Sequence, residues 1–285
     1  MMCRKKPGLS RHIEGIVMLM MLAALFVALF AWWFSTGIIL LVVRHADRAG
    51  GDAHVMSLVF ATPFLVLGAV FAYFSMGNTE VLGAYGGFVG ALMIWGWIEL
   101  AFLAGLITGP SKKACPPGME GWRRLSSAWN TISHHELALV WGLLLLLWMS
   151  KDAANYTALA TYGVLFIARI SAKINLFLGV PKINMQFVPE RMLHMASYFR
   201  RAPVGFMFAI SVTCLTGVFV LLVYALFGAQ TDGAKVAHVL LASLMGLALL
   251  EHWLMVLPLP DAKLWQWMLP APLANYKKRG EQHGL

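Results

Sequence analysis

The sequence predicts an all-α, polytopic integral membrane protein with about seven transmembrane helices and one interfacial helix on the cytoplasmic side. Three observations predict it. Of the 285 residues, 60% are hydrophobic and only 12% are charged, about half the charged share of a soluble domain. The mean hydropathy is +0.72. Seven apolar segments reach the roughly 20 residues that a hydrocarbon core requires. A chain with so few polar groups cannot cover itself in water, so lipid is its solvent.

The expected spans are 16–43, 53–74, 81–108, 130–149, 153–172, 203–228 and 235–257. They form one membrane domain, 16–257, between a basic N-terminal tail (1–15) and a C-terminal tail (258–285). The first apolar run is too long for the core of a signal peptide, so it reads as a retained helix. No stretch reads as a soluble domain and no tandem repeat is evident. The cysteines, Cys3, Cys115 and Cys214, are scattered and odd in number, which gives neither a disulfide framework nor metal-ligand spacing.

The formal net charge is +9. The cations lie in loops between apolar runs, which points to an anionic membrane surface and not to nucleic acid. Sixteen of the 22 Lys and Arg residues fall on one side of the spans. That side is expected to be cytoplasmic, with the N-terminus periplasmic and the C-terminus inside. Arg4, Lys5, Lys6 and Arg11 run against this rule, and a start at Met18 or a neighbour would remove part of the conflict.

Two loops on the cation-rich side are long. Residues 109–129 contain Gly109-Pro110 and Cys115-Pro116-Pro117-Gly118, so no helix is expected there. In 173–202, Gly179-Val180-Pro181 breaks the chain and Pro189 suits a first helical turn. Beyond it Met192, Leu193, Ala196 and Phe199 share one helical face, and Arg191, His194, Tyr198 and Arg201 another. That pattern predicts a short amphipathic helix in the membrane interface. Trp32, Trp33, Trp122, Trp129, Trp253, Trp265 and Trp267 read as interface anchors at or beside span ends. Pro63 in the second span could mark a kink.

The third span carries Gly83, Gly86, Gly87 and Gly90, paired at spacings of four. Small residues so spaced let two helix backbones approach closely in lipid. Packing within the chain is the preferred reading; docking of a partner's helix is the alternative.

Ionisable groups inside spans are the strongest functional hint, because hydrocarbon penalises them unless they are paired. Glu99, His134, His135, Glu136, Glu251 and His252 all fall toward the cytoplasmic half, with His45, Asp47 and His54 at the adjoining helix ends. One reading is a single polar pocket holding a metal, a porphyrin-type pigment or a proton path. The preferred reading is a set of Glu–His and Glu–Arg pairs that fix helix packing. His134, His135 and Glu136 diverge by about 100° per residue, so they do not converge on one ion. His238 and His252 share a face about 21 Å apart, so they are not joint ligands. No Gly-x-Ser-x-Gly, Walker or His-Glu-x-x-His sequence is present, so nothing builds a hydrolase or a transferase.

Three stretches carry a resemblance. The first is Trp32-Trp33-Phe34-Ser35-Thr36-Gly37, and the second is the short loop from Arg44 to Asp52. The third and most specific runs from Arg169 through Ser171-Ala172-Lys173-Ile174-Asn175-Leu176-Phe177-Leu178-Gly179-Val180-Pro181 to Asn184, then Pro189 and Ser197-Tyr198-Phe199. Together they resemble the PuhE-type photosynthetic complex assembly proteins of phototrophic bacteria. The resemblance covers most of the spans and excludes both tails. It implies a non-catalytic helper in building the reaction centre and its light-harvesting antenna in the bacterial inner, intracytoplasmic membrane. It also implies an influence on bacteriochlorophyll supply. Lys173, Asn175, Pro181 and Asn184 then join the glycines as expected partner-contact positions. If pigment is bound, His135 and His252 are the expected ligands of its central Mg²⁺. The competing readings are a redox or haem-binding membrane enzyme using the His/Glu cluster, a permanent subunit of the photosynthetic complex, and a transporter.

Overall fold

Apolar runs of hydrocarbon length have one stable open-chain form in lipid, the helix, because every backbone polar group must be bonded within the segment. The structure, a computed structural model, describes residues 7–185 and 188–258. Its helices are α1 (Pro7–Ala49), α2 (Ala53–Ser75), α3 (Val81–Leu103), α4 (Gly121–Met149), α5 (Thr157–Leu178), α6 (Leu193–Ala196), α7 (Phe206–Gly228) and α8 (Asp232–Leu254). All but α6 are long and apolar enough to cross a membrane, giving seven spans. The expected C-terminal tail, with Trp265 and Trp267, lies outside the described residues.

Three local expectations are corrected. Helix α1 begins at Pro7, inside the expected tail, with proline at its first turn. Its 43 residues rise about 64 Å, twice a hydrocarbon core. Trp32 and Trp33 therefore stand in the middle of α1 and are not anchors at its end. Helix α4 starts at Gly121, within a segment expected to be loop. Pro116-Pro117-Gly118 forbids helix only locally, and hydropathy marks where lipid ends, not where hydrogen bonding ends. Apart from these, Pro63 lies inside α2, as the span there required.

Helices α3 and α8 form the centre. More than half of each is buried, against less than a quarter of every other span. Small residues make this possible. A Cβ on Gly90 would stand 2.7 Å from Ala72 N and 2.8 Å from Gly68 O of α2. One on Gly87 would stand 2.9 Å from Ala158 N of α5. The glycine stripe thus closes on the chain's own helices, leaving a partner's helix no room at Gly87 and Gly90. Gly83 is likewise crowded by the Asn78 backbone. Gly86 is looser, with Ser75 Cβ at 3.7 Å. One apolar core joins Ala28, Phe88, Leu215, Leu240 and Met245. A second joins Ala72, Trp95, Leu139, Leu146 and Tyr162.

The two long loops knit into a cap over the cation-rich end. Arg124 Nη2 donates to Phe177 O at 2.9 Å and to Tyr198 O at 2.6 Å. Its guanidinium lies 4.1 Å from the Phe177 ring centroid. Ser197 Oγ accepts from Cys115 N at 2.8 Å, and the Tyr198 and Ser127 hydroxyls lie 2.7 Å apart. A parallel bridge pairs Val180 with Arg201. The helix expected after Pro189 is a 3-10 turn, Glu190–Met192, followed by the single turn α6. Met192 and Ala196 share a buried face, but Tyr198, assigned by periodicity to the polar face, is only 2% exposed. This segment packs onto protein because the loop 104–120 supplies it with partners.

Candidate functional site

The intramembrane ionisable groups meet where α3, α4 and α5 approach the cap. Arg169 and Lys173 are four apart on α5, so they share a face. Both lie inside that helix, Arg169 within the expected span 153–172 and Lys173 where a loop was expected to begin. Arg169 Nη2 donates to Glu99 Oε2 of α3 at 2.8 Å. Lys173 donates to Glu136 Oε1 of α4 through a short contact. His135 lies under both pairs, fully buried, with Nε2 at 3.7 Å from Glu99 Oε1. Its ring stacks on Phe102 at 3.9 Å between centroids and 22° between planes. Lys173 Nζ lies 5.4 Å from the centroid of the same Phe102 ring. The backbone N–H of His135 donates to Thr108 O at 3.1 Å.

Two carboxyl groups thus face two cationic groups, and the formal charges balance. Such pairing is what makes ionisable groups tolerable at membrane depth. The pairs are not saturated. Glu99 Oε1, Glu136 Oε2, Arg169 Nε and both ring nitrogens of His135 are buried without a hydrogen-bond partner.

The remaining expected residues separate from this cluster. His134 points outward, about 100° from its neighbour, and is exposed. Glu251 faces a cleft on the α1 side of the bundle. His252 belongs to a second polar strip along α5, α7 and α8. Its Nδ1 lies 2.7 Å from Ala248 O and its Nε2 2.8 Å from Ser171 Oγ. A carbonyl only accepts, so Nδ1 carries the proton and Nε2 accepts from the serine hydroxyl. Asn175 Nδ2 continues the strip to Ser171 O and Ser211 Oγ, each at 2.9 Å. His54 pairs with Asp47 at 3.0 Å at the α1–α2 turn.

These contacts bear on the expected pigment ligands. His252 is 1% exposed and both of its nitrogens are engaged. His135 is closed on one face by Phe102 and has no exposed edge. Neither ring presents an open side to a macrocycle. Among the described residues no three His, Cys, Asp or Glu side chains are grouped to hold a metal ion. Of the expected contact positions, Lys173 and Asn175 turn inward, Asn184 borders the cleft, and Pro181 is exposed on the cap. Sequence reading missed Ser171, Ser211 and Phe102 as partners. The signals for the first were its position two residues from Arg169 and from Lys173 and its place in the stretch that carries the resemblance.

Residues 18–275 match the family described as Protein of unknown function (DUF3623). The chain is 46% identical over 243 residues to a protein of Rhodobacter capsulatus named "Uncharacterized 30.4 kDa protein in puhA 5'region". The alignment covers 85% of this chain and 89% of that one. No solved structure matches. With a family match over nearly all of the spans and a relative at this identity over most of both chains, the chain belongs to the DUF3623 family.

Proposed function

We propose that this protein is a non-catalytic assembly or scaffold protein for the bacterial photosynthetic reaction centre and light-harvesting complex, with an influence on bacteriochlorophyll supply. The observation that carries this reading is the relative's place beside puhA, a photosynthesis gene region, at 46% identity over most of both chains. The family described over residues 18–275 is compatible with it. The proposed setting is the inner, intracytoplasmic photosynthetic membrane, with the cation-rich cap cytoplasmic and the N-terminus periplasmic. The cap is the surface we assign to reaction-centre or antenna subunits. It carries exposed Arg123, Arg200 and Arg201 on a hydrogen-bonded frame, so it offers charge without paying much ordering entropy on docking.

The test is a clean deletion in a phototrophic bacterium that carries the gene. Absorption spectra of membranes then report assembled reaction centre and antenna. Lower complex levels with pigment chemistry still running are expected. Wild-type levels overturn the reading. Stoichiometric presence of the protein in the purified complex would make it a permanent subunit instead of a helper.

A further inference from the structure

On the α1 side of the bundle the packing opens into a cleft of about 640 Å³, walled by α1, α3, α5 and α8. The size falls within the range of pockets that hold small organic ligands. Toward the far side the bundle is tight, with Phe88 and Leu240 fully buried. The cleft begins one turn beyond them, at Leu92 and Leu244, and ends at Leu103 and Leu254. Those stretches rise about 15 Å, half of a hydrocarbon core of ~30 Å. The cleft therefore matches one leaflet.

Its walls are graded. Leu29, Leu92, Trp95, Val164 and Leu244 form the deep part. Glu99, Arg169, Glu251 and Asn184 lie toward the cap, where that leaflet's head-group region would be. Arg169 gives one Nη to Glu99, yet its side chain is 37% exposed. A guanidinium has five N–H donors, so donors remain for a ligand. Glu251 also borders the cleft and is hydrogen-bonded by the Trp32 side chain. The polar end thus offers both a donor and an acceptor. With two carboxyl groups against one guanidinium, it holds no surplus of positive charge for an anionic head.

We propose that this cleft binds a single-chain lipid with an uncharged, hydroxyl-bearing head. The head donates to Glu251 and accepts from Arg169, and the chain runs toward the bilayer midplane between α1 and α5. A phosphate or carboxylate head would add negative charge beside Glu99 and Glu251, which costs affinity. The inference does not rest on the assembly role. It is read from binding to purified protein, whereas that role is read from complex levels in cells.

The experiment titrates the full-length protein in neutral detergent with pyrene-labelled dodecanol, dodecanoic acid and phosphatidylglycerol. Energy transfer from tryptophan reports occupancy, since Trp32, Trp33 and Trp95 line the cleft. Saturable binding of the alcohol, at least tenfold tighter than of either anionic probe, is expected. Gly96→Phe plugs the cleft from α3, where a Cβ would meet only Ile39 Cδ1 at 3.7 Å. It should weaken alcohol binding at least tenfold with an unchanged melting temperature. Thr36→Phe is the second plug, from the opposite wall. Glu251→Ala should weaken the alcohol and narrow its lead over the acid. Wild-type affinity in both plug variants, or phosphatidylglycerol or the acid binding as tightly as the alcohol, overturns the proposal.

Discussion

Replacing Lys173 by methionine tests the ionic cluster directly. Methionine keeps most of the stem's volume and removes the charge. Lys173 is 18% exposed at its side chain and Glu136 only 5%, so the pair is poorly screened. Glu136 Oε2 already lacks a partner, and losing Lys173 leaves both oxygens unpaired. Removing one member of a buried pair typically costs about 3–5 kcal/mol, because the other charge stays behind. Replacing both members by apolar groups is often neutral or stabilising. The expectation is therefore a loss of about 3–5 kcal/mol for Lys173→Met, most of which returns in Lys173→Met/Glu136→Leu. Tryptophan fluorescence during titration of micelles with a denaturing detergent measures it. A single variant as stable as wild type would refute the pairing. So would a double variant no better than the single one, because the deficit would then come from shape and not from charge.

Two further substitutions probe packing and the cap. Gly90→Ala forces its Cβ against the α2 backbone at 2.7–2.8 Å, whereas Gly86→Ala meets Ser75 Cβ at 3.7 Å. After the helix-propensity gain from alanine, Gly90→Ala should lose about 1–2 kcal/mol and Gly86→Ala none, measured by the same unfolding titration. In the cap, burial of His194 pushes its pKa down, a bond to the Arg191 backbone opposes this, and the Lys112 charge adds to the lowering. A depressed histidine pKa means that the folded cap binds fewer protons than the unfolded chain. Stability contributed there is present above the unfolded value of about 6.5 and falls as pH drops toward the folded one. Hydrogen exchange at residues 190–198 should speed up between pH 7.5 and pH 5.5 beyond the chemical trend, and His194→Gln should remove the excess.

Hydropathy alone determined the solvent, the seven spans and the side on which most cations gather, because a hydrocarbon slab imposes a length and a composition on whatever crosses it. It also put the ionisable groups at one end. The partners were not legible. His134 and His135 are neighbours in the chain, yet one is exposed and the other fully buried, because a helix turns about 100° per residue and only its neighbours decide which direction is inward. Lys173 read as a loop cation, since a positive charge ends a hydropathic run, and Arg169 as the last charge before that loop. Tertiary structure carried them inside by placing Glu99 and Glu136 opposite. The glycines of α3 announced a close approach but not to what, and the answer, α2 and α5 of the same chain, depended on how the helices are ordered around α3. The cleft beside α1 had no signal at all, because an open space is a property of four helices together, and no single segment encodes it.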